Sequence, residues 1–215
     1  MKSIFIIFLL FVEASLAQSS CTASEAQGLR QCWLDYLNHF GYQTVPPNDD
    51  YVGKDITYLS ANGAAGFQNQ CDWVKTRYSC EQPYFPDCQN PDGYSMALND
   101  SGSDATKYLN TDAVELWECT DGYNLTMNNY YCIISVNSNH FLEIEYCQLK
   151  LFNDLQNSTG CGPVMNYVGC IMGIYKNYCG HQGQIFGCHW AEIPMAMDFP
   201  ACASSLPNCG DSKMT

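Results

Sequence analysis

The chain has 215 residues and carries 22 Asp or Glu against 9 Lys or Arg, which gives a net charge of −13. Binding to nucleic acid or to an anionic membrane needs clustered cations, so this balance argues against both as partners. Fourteen cysteines and an aromatic content of 13% indicate instead a disulfide-linked protein with a substantial core.

Residues 1–17 have the three parts of a secretory signal peptide. A lysine gives the positive start, residues 4–12 form an apolar run, and residues 15–17 supply the small-x-small cleavage pattern. The run is too short to span a bilayer, which takes about 20 residues, and the polar C-terminus has no lipid-anchor signal. We therefore expect a secreted, extracellular protein without a membrane anchor.

All the cysteines follow this leader. An even number in an oxidising compartment predicts seven disulfides. About 200 residues remain after cleavage, enough for an apolar core to which the disulfides add stability. The predicted disulfide cysteines are Cys21, Cys32, Cys71, Cys80, Cys88, Cys119, Cys132, Cys147, Cys161, Cys170, Cys179, Cys188, Cys202 and Cys209.

The first predicted element is an amphipathic helix over residues 24–40. Thr22 and Glu25 form a capping box at its start. Apolar residues then follow at helical spacing, and Gly41 suits the left-handed residue that ends a helix. This segment has a complete set of helix signals.

The rest of the N-terminal half alternates between loop and helix. Turn-forming residues predict a loop over 43–66, and apolar spacing predicts a helix over 66–80. Residues 95–111 are polar and predict an exposed linker. This linker divides a Cys-rich helical region at 18–94 from another at 112–215, and the two form either separate domains or one domain.

The C-terminal half contains two further predicted helices. Residues 130–136 have strand composition without alternation, which leaves helix and strand both open. A helix is predicted over 140–155, and another over 163–179 with Gly180 at its end. Residues 183–209 predict short segments interrupted by proline. One face of the helix at 140–155 would carry Phe141, Ile144, Phe152 and Leu155. The chain therefore predicts a mainly α fold, with disulfide-rich helical domains and long irregular loops.

Helical geometry restricts how two of the cysteines pair. Cys170 and Cys179 lie nine residues apart on the predicted helix 163–179. Nine residues turn an ideal helix by about 900°, which puts the two side chains on opposite faces. We therefore expect Cys170 and Cys179 to join this helix to two different neighbours.

Two parts of the chain resemble each other. Residues 31–41 match residues 169–180 after a one-residue insertion, and a Cys-x-Trp pair follows each part, at Cys71 and at Cys188. The spacing between these features differs in the two halves. A degenerate internal duplication and a coincidence between Cys-bearing helices both remain open.

The cysteine spacing is similar to that of a nematode family of secreted helical domains, domain-of-unknown-function family 19. The resemblance covers roughly residues 21–180. It rests on Cys21-x10-Cys32 at an amphipathic helix, followed by Cys71-x8-Cys80-x7-Cys88. It implies a secreted, α-helical, disulfide-linked protein with no established activity, and it assigns no catalytic residue.

Four residues are candidates for glycan attachment. Asn99, Asn124 and Asn157 each begin an N-glycosylation sequon. Ser101 belongs to a Ser-Gly pair flanked by aspartates in the predicted linker, which resembles a glycosaminoglycan attachment site. The alternative for Ser101 is a flexible acidic linker.

The sequence predicts no cofactor, metal or catalytic site. In a secreted chain, cysteines near histidines more often form disulfides than bind zinc. The best zinc-ligand set is Cys179, His181, Cys188 and His189. No G-x-S-x-G nucleophile motif occurs. His39 is expected on the polar side of its helix, and Glu143 and Glu145 beside His140 are interpreted as a solvated face.

These observations favour a non-enzymatic extracellular protein that binds another protein or a receptor, with the Tyr-rich stretch 123–131 as a loop in the contact surface. One alternative is a small extracellular-matrix proteoglycan core that uses Ser101. A second alternative is a secreted hydrolase with a non-standard site. An exposed apolar patch would favour binding, whereas a deep pocket holding His and a carboxylate would favour the hydrolase.

Overall fold

The computed structural model describes residues 21–99 and 103–210, so the predicted signal peptide at 1–17 and Ser101 lie outside the described residues. Within those ranges the regular elements are all helical and no β-strand occurs, which confirms the mainly α fold class. The α-helices are α1 Ala23–Leu37, α2 Asn48–Glu81, α3 Phe85–Cys88, α4 Pro91–Leu98, α5 Ser103–Cys119, α6 Tyr123–Asn139, α7 Phe141–Asn157 and α8 Gly162–Asp198. Short 3₁₀ segments are Asn38–Phe40, Gln82–Tyr84 and Pro200–Ser205.

Helix α1 has the start and the end that the sequence predicts. The Thr22 amide donates to Glu25 Oε2 over 2.8 Å, and the Glu25 amide donates to Thr22 Oγ1 over 3.3 Å, so the capping box is formed. After the 3₁₀ turn that extends α1, Gly41 has a φ of 86°, the left-handed conformation expected there. Leu29 and Trp33 are completely buried on the inner side.

The predicted loop over 43–66 is wrong from residue 48 onwards, because α2 already begins at Asn48, and only residues 43–47 are irregular. The turn-forming residues Pro46 and Pro47 directly precede this helix, with Pro47 at its N-cap position. Asp49 and Asp50 lie in its first turn, where carboxylates stabilise the positive end of the helix dipole. The completely buried Tyr51 then fixes this segment in the core.

Helices α2 and α8 share the same kink. Gly63 has φ 61° and ψ −157°, and Gly180 has φ 68° and ψ −156°, a backbone region that essentially only glycine adopts. After each kink a glycine, a cysteine and a tryptophan follow at identical offsets. They are Gly66, Cys71 and Trp73 in α2, and Gly183, Cys188 and Trp190 in α8. The matching kinks favour an internal duplication in which α2 is the counterpart of α8, whereas the predicted match of residues 31–41 with 169–180 is not the one that the kinks show.

Helix also replaces two other segments predicted to be irregular. The described part of 95–111 belongs mostly to α4 and α5, and Tyr108 is buried there, so the exposed linker is wrong. Most of 183–209 is the continuation of α8 to Asp198. Both errors arise because the local sequence is polar or contains proline, whereas packing of a few large side chains stabilises the helix.

Buried apolar side chains form two clusters. The first joins α1, α2, α4 and α5 around Trp33, and the second joins α6, α7 and α8 around Ile171. Helix α2 packs against α6 and helix α5 packs against α8, so the two clusters adjoin. None of the described helices combines the length and the apolar character needed to cross a bilayer.

Seven disulfides join all fourteen cysteines, as the even count predicts. Three link elements from α1 to α5, which we call the N-terminal region, and four link elements from α6 onwards, the C-terminal region. The pairs are Cys21–Cys88, Cys32–Cys80, Cys71–Cys119, Cys132–Cys179, Cys147–Cys170, Cys161–Cys202 and Cys188–Cys209. Cys170 therefore joins α8 to α7 and Cys179 joins it to α6, which confirms the prediction of two different neighbours.

Candidate binding surface

Helix α7 presents a broad apolar side to solvent. It packs mainly against α8 and lightly against α6, and Cys147 is its one buried residue. Five other large apolar side chains of the helix are more than half exposed. They are Phe141 at 54%, Leu142 at 64%, Tyr146 at 65%, Leu149 at 57% and Phe152 at 61%, and we call them the α7 face.

Helix geometry puts the α7 face on one side of α7. At ~100° per residue, its five side chains fall within an arc of about 140°. Ile144 and Leu151 lie outside this arc and pack against the C-terminal core. The face predicted for this helix is therefore divided, because Ile144 contacts the core whereas Phe141, Phe152 and Leu155 are exposed.

The sequence analysis gives no role to Leu142, Tyr146 or Leu149. The signal for them is nevertheless present, because α7 carries apolar residues around most of its circumference. A helix that packs on one neighbour needs only one apolar stripe. The surplus of apolar residues beyond that stripe predicts either a second neighbour within the chain or a binding surface.

An apolar groove of about 320 Å³ lies between α7 and α8, beside the α7 face. Its lining residues are Leu142, Glu143, Tyr146, Cys147, Cys170 and Ile174. The Cys147–Cys170 disulfide lies in this lining and ties the two helices together. The groove therefore has walls whose spacing is set by a covalent bond.

Glu143 gives this groove a single charged group. Its Oε1 accepts a 2.7 Å hydrogen bond from the Tyr178 hydroxyl and lies 3.0 Å from His140 Nδ1. The imidazole of His140 stacks on the Tyr178 ring at 3.7 Å between centroids. The hydrogen bond from Tyr178, with the contact to His140, holds the pKa of Glu143 below its ordinary value. Glu143 is therefore an ionised carboxylate in a fixed position.

The pairing of His140 with Glu143 is the contact that a hydrolase would use, but its surroundings are open. The two side chains are 30% and 46% exposed. A second groove of about 400 Å³ also opens to solvent, and it lies in the N-terminal region. Its lining residues are Val45, Pro46, Pro47, Leu98, Asn99, Asp104 and Tyr108. Neither groove places a histidine and a carboxylate in an enclosed space.

The two cysteines of the candidate zinc set belong to two different disulfides. Cys179 bonds Cys132, and Cys188 bonds Cys209, so neither sulfur is a free thiolate that could bind zinc. Glu192 lies 2.7 Å from Cys209 Sγ. Cys188, Glu192 and Cys209 lie close together, but their two sulfurs form one disulfide, so these three residues do not make a metal site.

The N-terminal region encloses a network of charged side chains around Arg77. The guanidinium donates to Asp112 over 2.6 Å and to Glu115 over 2.9 Å, and its side chain has no exposed surface. It lies 4.0 Å from the ring centroid of Trp33 and 4.3 Å from that of Tyr36, in cation–π contact with both. Arg77 is therefore held by two carboxylates and two aromatic rings.

A third carboxylate, that of Glu81, lies in the same interior. Its Oε1 is 3.7 Å from Arg77 Nε, its side chain is fully buried, and it also interacts with the side chain of Asp112. Burial, together with the charge of Asp112, raises the pKa of Glu81 to about 9, so the group is neutral at pH 7. The side chains of Arg77 and Glu81 have no exposed surface and those of Asp112 and Glu115 are at most 10% exposed, so we interpret the network as structural.

The three sequon asparagines are all exposed. Asn124 lies in the first turn of α6, Asn157 is the last residue of α7, and Asn99 follows α4 with a φ of 56°. In the sequon of Asn124, the Thr126 hydroxyl is buried and donates to Gly122 O over 3.1 Å. Asn157 has a fully exposed sequon at the end of the helix that carries the α7 face.

The Tyr-rich stretch 123–131 is not the predicted loop, because it forms the first half of α6. Tyr130 is buried and donates its hydroxyl hydrogen to Leu59 O over 2.7 Å. Tyr131 remains 75% exposed. The tyrosines of this stretch are thus divided between the core and the surface, and they form no separate contact loop.

Comparison with known proteins identifies no relative. No protein-family profile matches the chain, and no match is found among the curated proteins or among the solved structures. The similarity to the nematode family therefore remains a prediction from cysteine spacing, and the function must be inferred from the geometry above.

Proposed function

We propose that this protein is a secreted, disulfide-linked glycoprotein that acts by binding another extracellular protein, without catalysis. The observation that carries the proposal is the α7 face, with its five large apolar side chains exposed on one helix. Contiguous apolar surface on a soluble protein most often marks an interaction site. The composition fits, since aromatic residues are enriched in the central parts of protein interfaces.

The attachment of α7 also suits a binding role. The Cys147–Cys170 disulfide fixes the middle of α7 to α8. Ile144 and Leu151 pack into the C-terminal core on either side of that bond. A surface that is ordered before it meets its partner loses little conformational entropy on binding. The α7 face is therefore preorganised for binding a partner protein.

Catalysis is the weaker interpretation of the same site. General acid–base chemistry gains most where water is excluded and charges act in a low dielectric. Glu143 is instead half exposed beside an open groove, and its pKa is lowered, which keeps it from serving as an acid. The site is better suited to contact than to proton transfer.

A competition experiment tests this proposal. Immobilised wild-type protein would capture partners from the extracellular fluid of the source organism. Free competitors would be wild type, an α7-face variant (Leu142→Gln, Leu149→Gln and Phe152→Gln) and a control variant (Met96→Gln and Tyr131→Gln). Met96 and Tyr131 are exposed, at 47% and 75%, but lie outside the α7 face.

We expect wild type and the control to compete for one captured protein, and the α7-face variant to compete at least tenfold less well. The captured protein, once purified, should then bind wild type with a fixed stoichiometry in calorimetry. Equal competition by the α7-face variant would place binding elsewhere and contradict the proposal.

A further inference from the structure

We infer that the α7 face and its groove receive a basic amphipathic α-helix of the partner protein, with a Lys or Arg of that helix paired to Glu143. This inference rests on the proposed binding function and adds the chemistry of the partner. Its observations are the shape of the surface, the position of its carboxylates and the overall charge of the chain.

The shape of the surface suits a helix. The α7 face extends from Phe141 to Phe152, three turns of helix, or about 16 Å at 1.5 Å per residue. The groove beside it lies between two helices and is mostly apolar. An amphipathic helix laid in such a groove is a common recognition mode, and it is read by side chains spaced three and four residues apart. A partner segment of about 12 residues would cover the face.

The charges on α7 select a basic partner. Lys150 is bound to Asp154 over 2.5 Å, so this pair carries no net charge. Glu145 lies within the arc of the α7 face, and Glu143 lies about 60° beyond it, in the lining of the groove. Among the described residues neither has a salt bridge to Lys or Arg. Apolar binding would bring both carboxylates close to the partner. Facing cations would stabilise that contact, whereas facing acids would oppose it.

The same charges disfavour a second copy of this chain as the occupant. Two identical α7 faces would bring together four carboxylates, from Glu143 and Glu145 of each copy. The net charge of −13 on each chain adds a long-range repulsion. A basic helix of another protein meets neither obstacle, and its approach would be accelerated by the acidic surface.

Two synthetic peptides test the chemistry directly. Both are 14-residue helices with the same leucine stripe, and the flanking positions are Lys in one and Gln in the other. Their affinities would be measured by fluorescence anisotropy at about 0.15 M salt, where charges separated by more than about 8 Å are screened. The proteins are wild type, Glu143→Gln/Glu145→Gln, the α7-face variant, and Asp72→Asn as an exposed acidic control on α2.

We expect the Lys peptide to bind wild type at least tenfold more tightly than the Gln peptide. The glutamate variant should remove most of that difference, because it weakens binding of the Lys peptide far more than binding of the Gln peptide, and Asp72→Asn should behave as wild type. Sedimentation of the wild-type protein alone should show a monomer.

The contrary outcomes separate this inference from the proposed function. If the α7-face variant loses both peptides but the glutamate variant binds as wild type does, the surface binds helices and the basic partner is wrong. If Asp72→Asn weakens the Lys peptide as much as the glutamate variant does, the charge effect is non-specific and the inference fails. A dimer that Leu149→Gln dissociates would replace the basic helix with a second copy. If the α7-face variant binds both peptides like wild type, the binding surface itself is wrong.

Discussion

The N-terminal and C-terminal regions are built on helices with the same glycine kink, but these two helices pack against their neighbours differently. In the N-terminal region, α2 is covered by α1 and α5, with α4 packed across those two, and it holds Arg77 and three carboxylates out of water. In the C-terminal region, α8 has an apolar inner side, and its covering helix α7 leaves five large apolar side chains more than half exposed.

This difference accords with the binding role proposed for the C-terminal region. At the offset from the kink where α2 has Arg77, α8 has Pro194. One region thus carries a buried polar network, which is demanding because every member must be satisfied. The C-terminal region has an apolar core in place of such a network, and its α7 face is exposed to solvent. We infer that the first region is specialised for structure and the second for contact.

The largest expected effect comes from removing the central cation of the N-terminal region. Arg77→Met would leave Asp112 and Glu115 as buried charges without their partner, which should cost about 3–5 kcal/mol of unfolding free energy. Urea unfolding with intact disulfides measures this cost. Lys54→Met, an exposed change on the same helix, is the control. A loss below 1 kcal/mol for Arg77→Met would mean that the network is not structural.

A cavity in the C-terminal core should lower the unfolding free energy nearly as much, and this loss should not depend on pH. Ile171→Ala removes a completely buried side chain, and such truncations lose about 2–5 kcal/mol. No titrating group is changed, so this loss should be the same at pH 5 and pH 9. A loss that varies with pH would show that the C-terminal core also depends on ionised groups.

A smaller effect, of opposite sign, is expected at Glu81. The folded protein keeps this carboxyl protonated up to a pKa of about 9, whereas the unfolded chain releases the proton near the ordinary value of 4.5. Its contribution to stability is therefore full below pH 4.5 and is lost as the pH rises towards 9. Glu81→Gln cannot ionise, so the variant should be more stable than wild type at pH 8.5 by at least about 1.4 kcal/mol, the equivalent of one pKa unit. Thermal unfolding of both proteins at several pH values measures this difference. If the stabilities of wild type and Glu81→Gln changed with pH in parallel, the prediction would be wrong.

The smallest effect on stability is expected at the α7 face. Leu142→Gln, Leu149→Gln and Phe152→Gln should each change the unfolding free energy by less than about 0.5 kcal/mol, because exposed side chains contribute little to folding. Chemical denaturation measures the unfolding free energy of these variants, with Ile171→Ala measured alongside for comparison. A loss of 2 kcal/mol at any of these positions would mean that the face is part of the core.

The sequence predicts the helix ends and the cysteine chemistry well, because these depend on neighbours along the chain. The capping box at Thr22 and the left-handed Gly41 are local signals, and the separation of Cys170 from Cys179 follows from helical geometry alone. The loop over 43–66 and the linker over 95–111 are predicted wrongly. There, buried tyrosines in long-range packing outweigh a polar or proline-containing local sequence.

The candidate site is only partly predictable for the same reason. The apolar residues around α7 can be counted in the sequence, but which of them α8 covers depends on tertiary packing. The contact of Tyr178 with Glu143 joins residues far apart in the chain. The sequence therefore indicates a helix with surplus apolar surface, and the fold decides that Leu142, Tyr146 and Leu149 are the exposed part.

Photo-crosslinking tests the central claim most directly. A benzophenone amino acid would replace Tyr146 on the α7 face in one protein and Met96 on the N-terminal region in another, since both positions are exposed. After irradiation in the extracellular fluid of the source organism, the account predicts an adduct of one defined mass from position 146 and none from position 96. An adduct from position 96 with none from position 146 would contradict it, because the contact surface would then lie on the region assigned to structure.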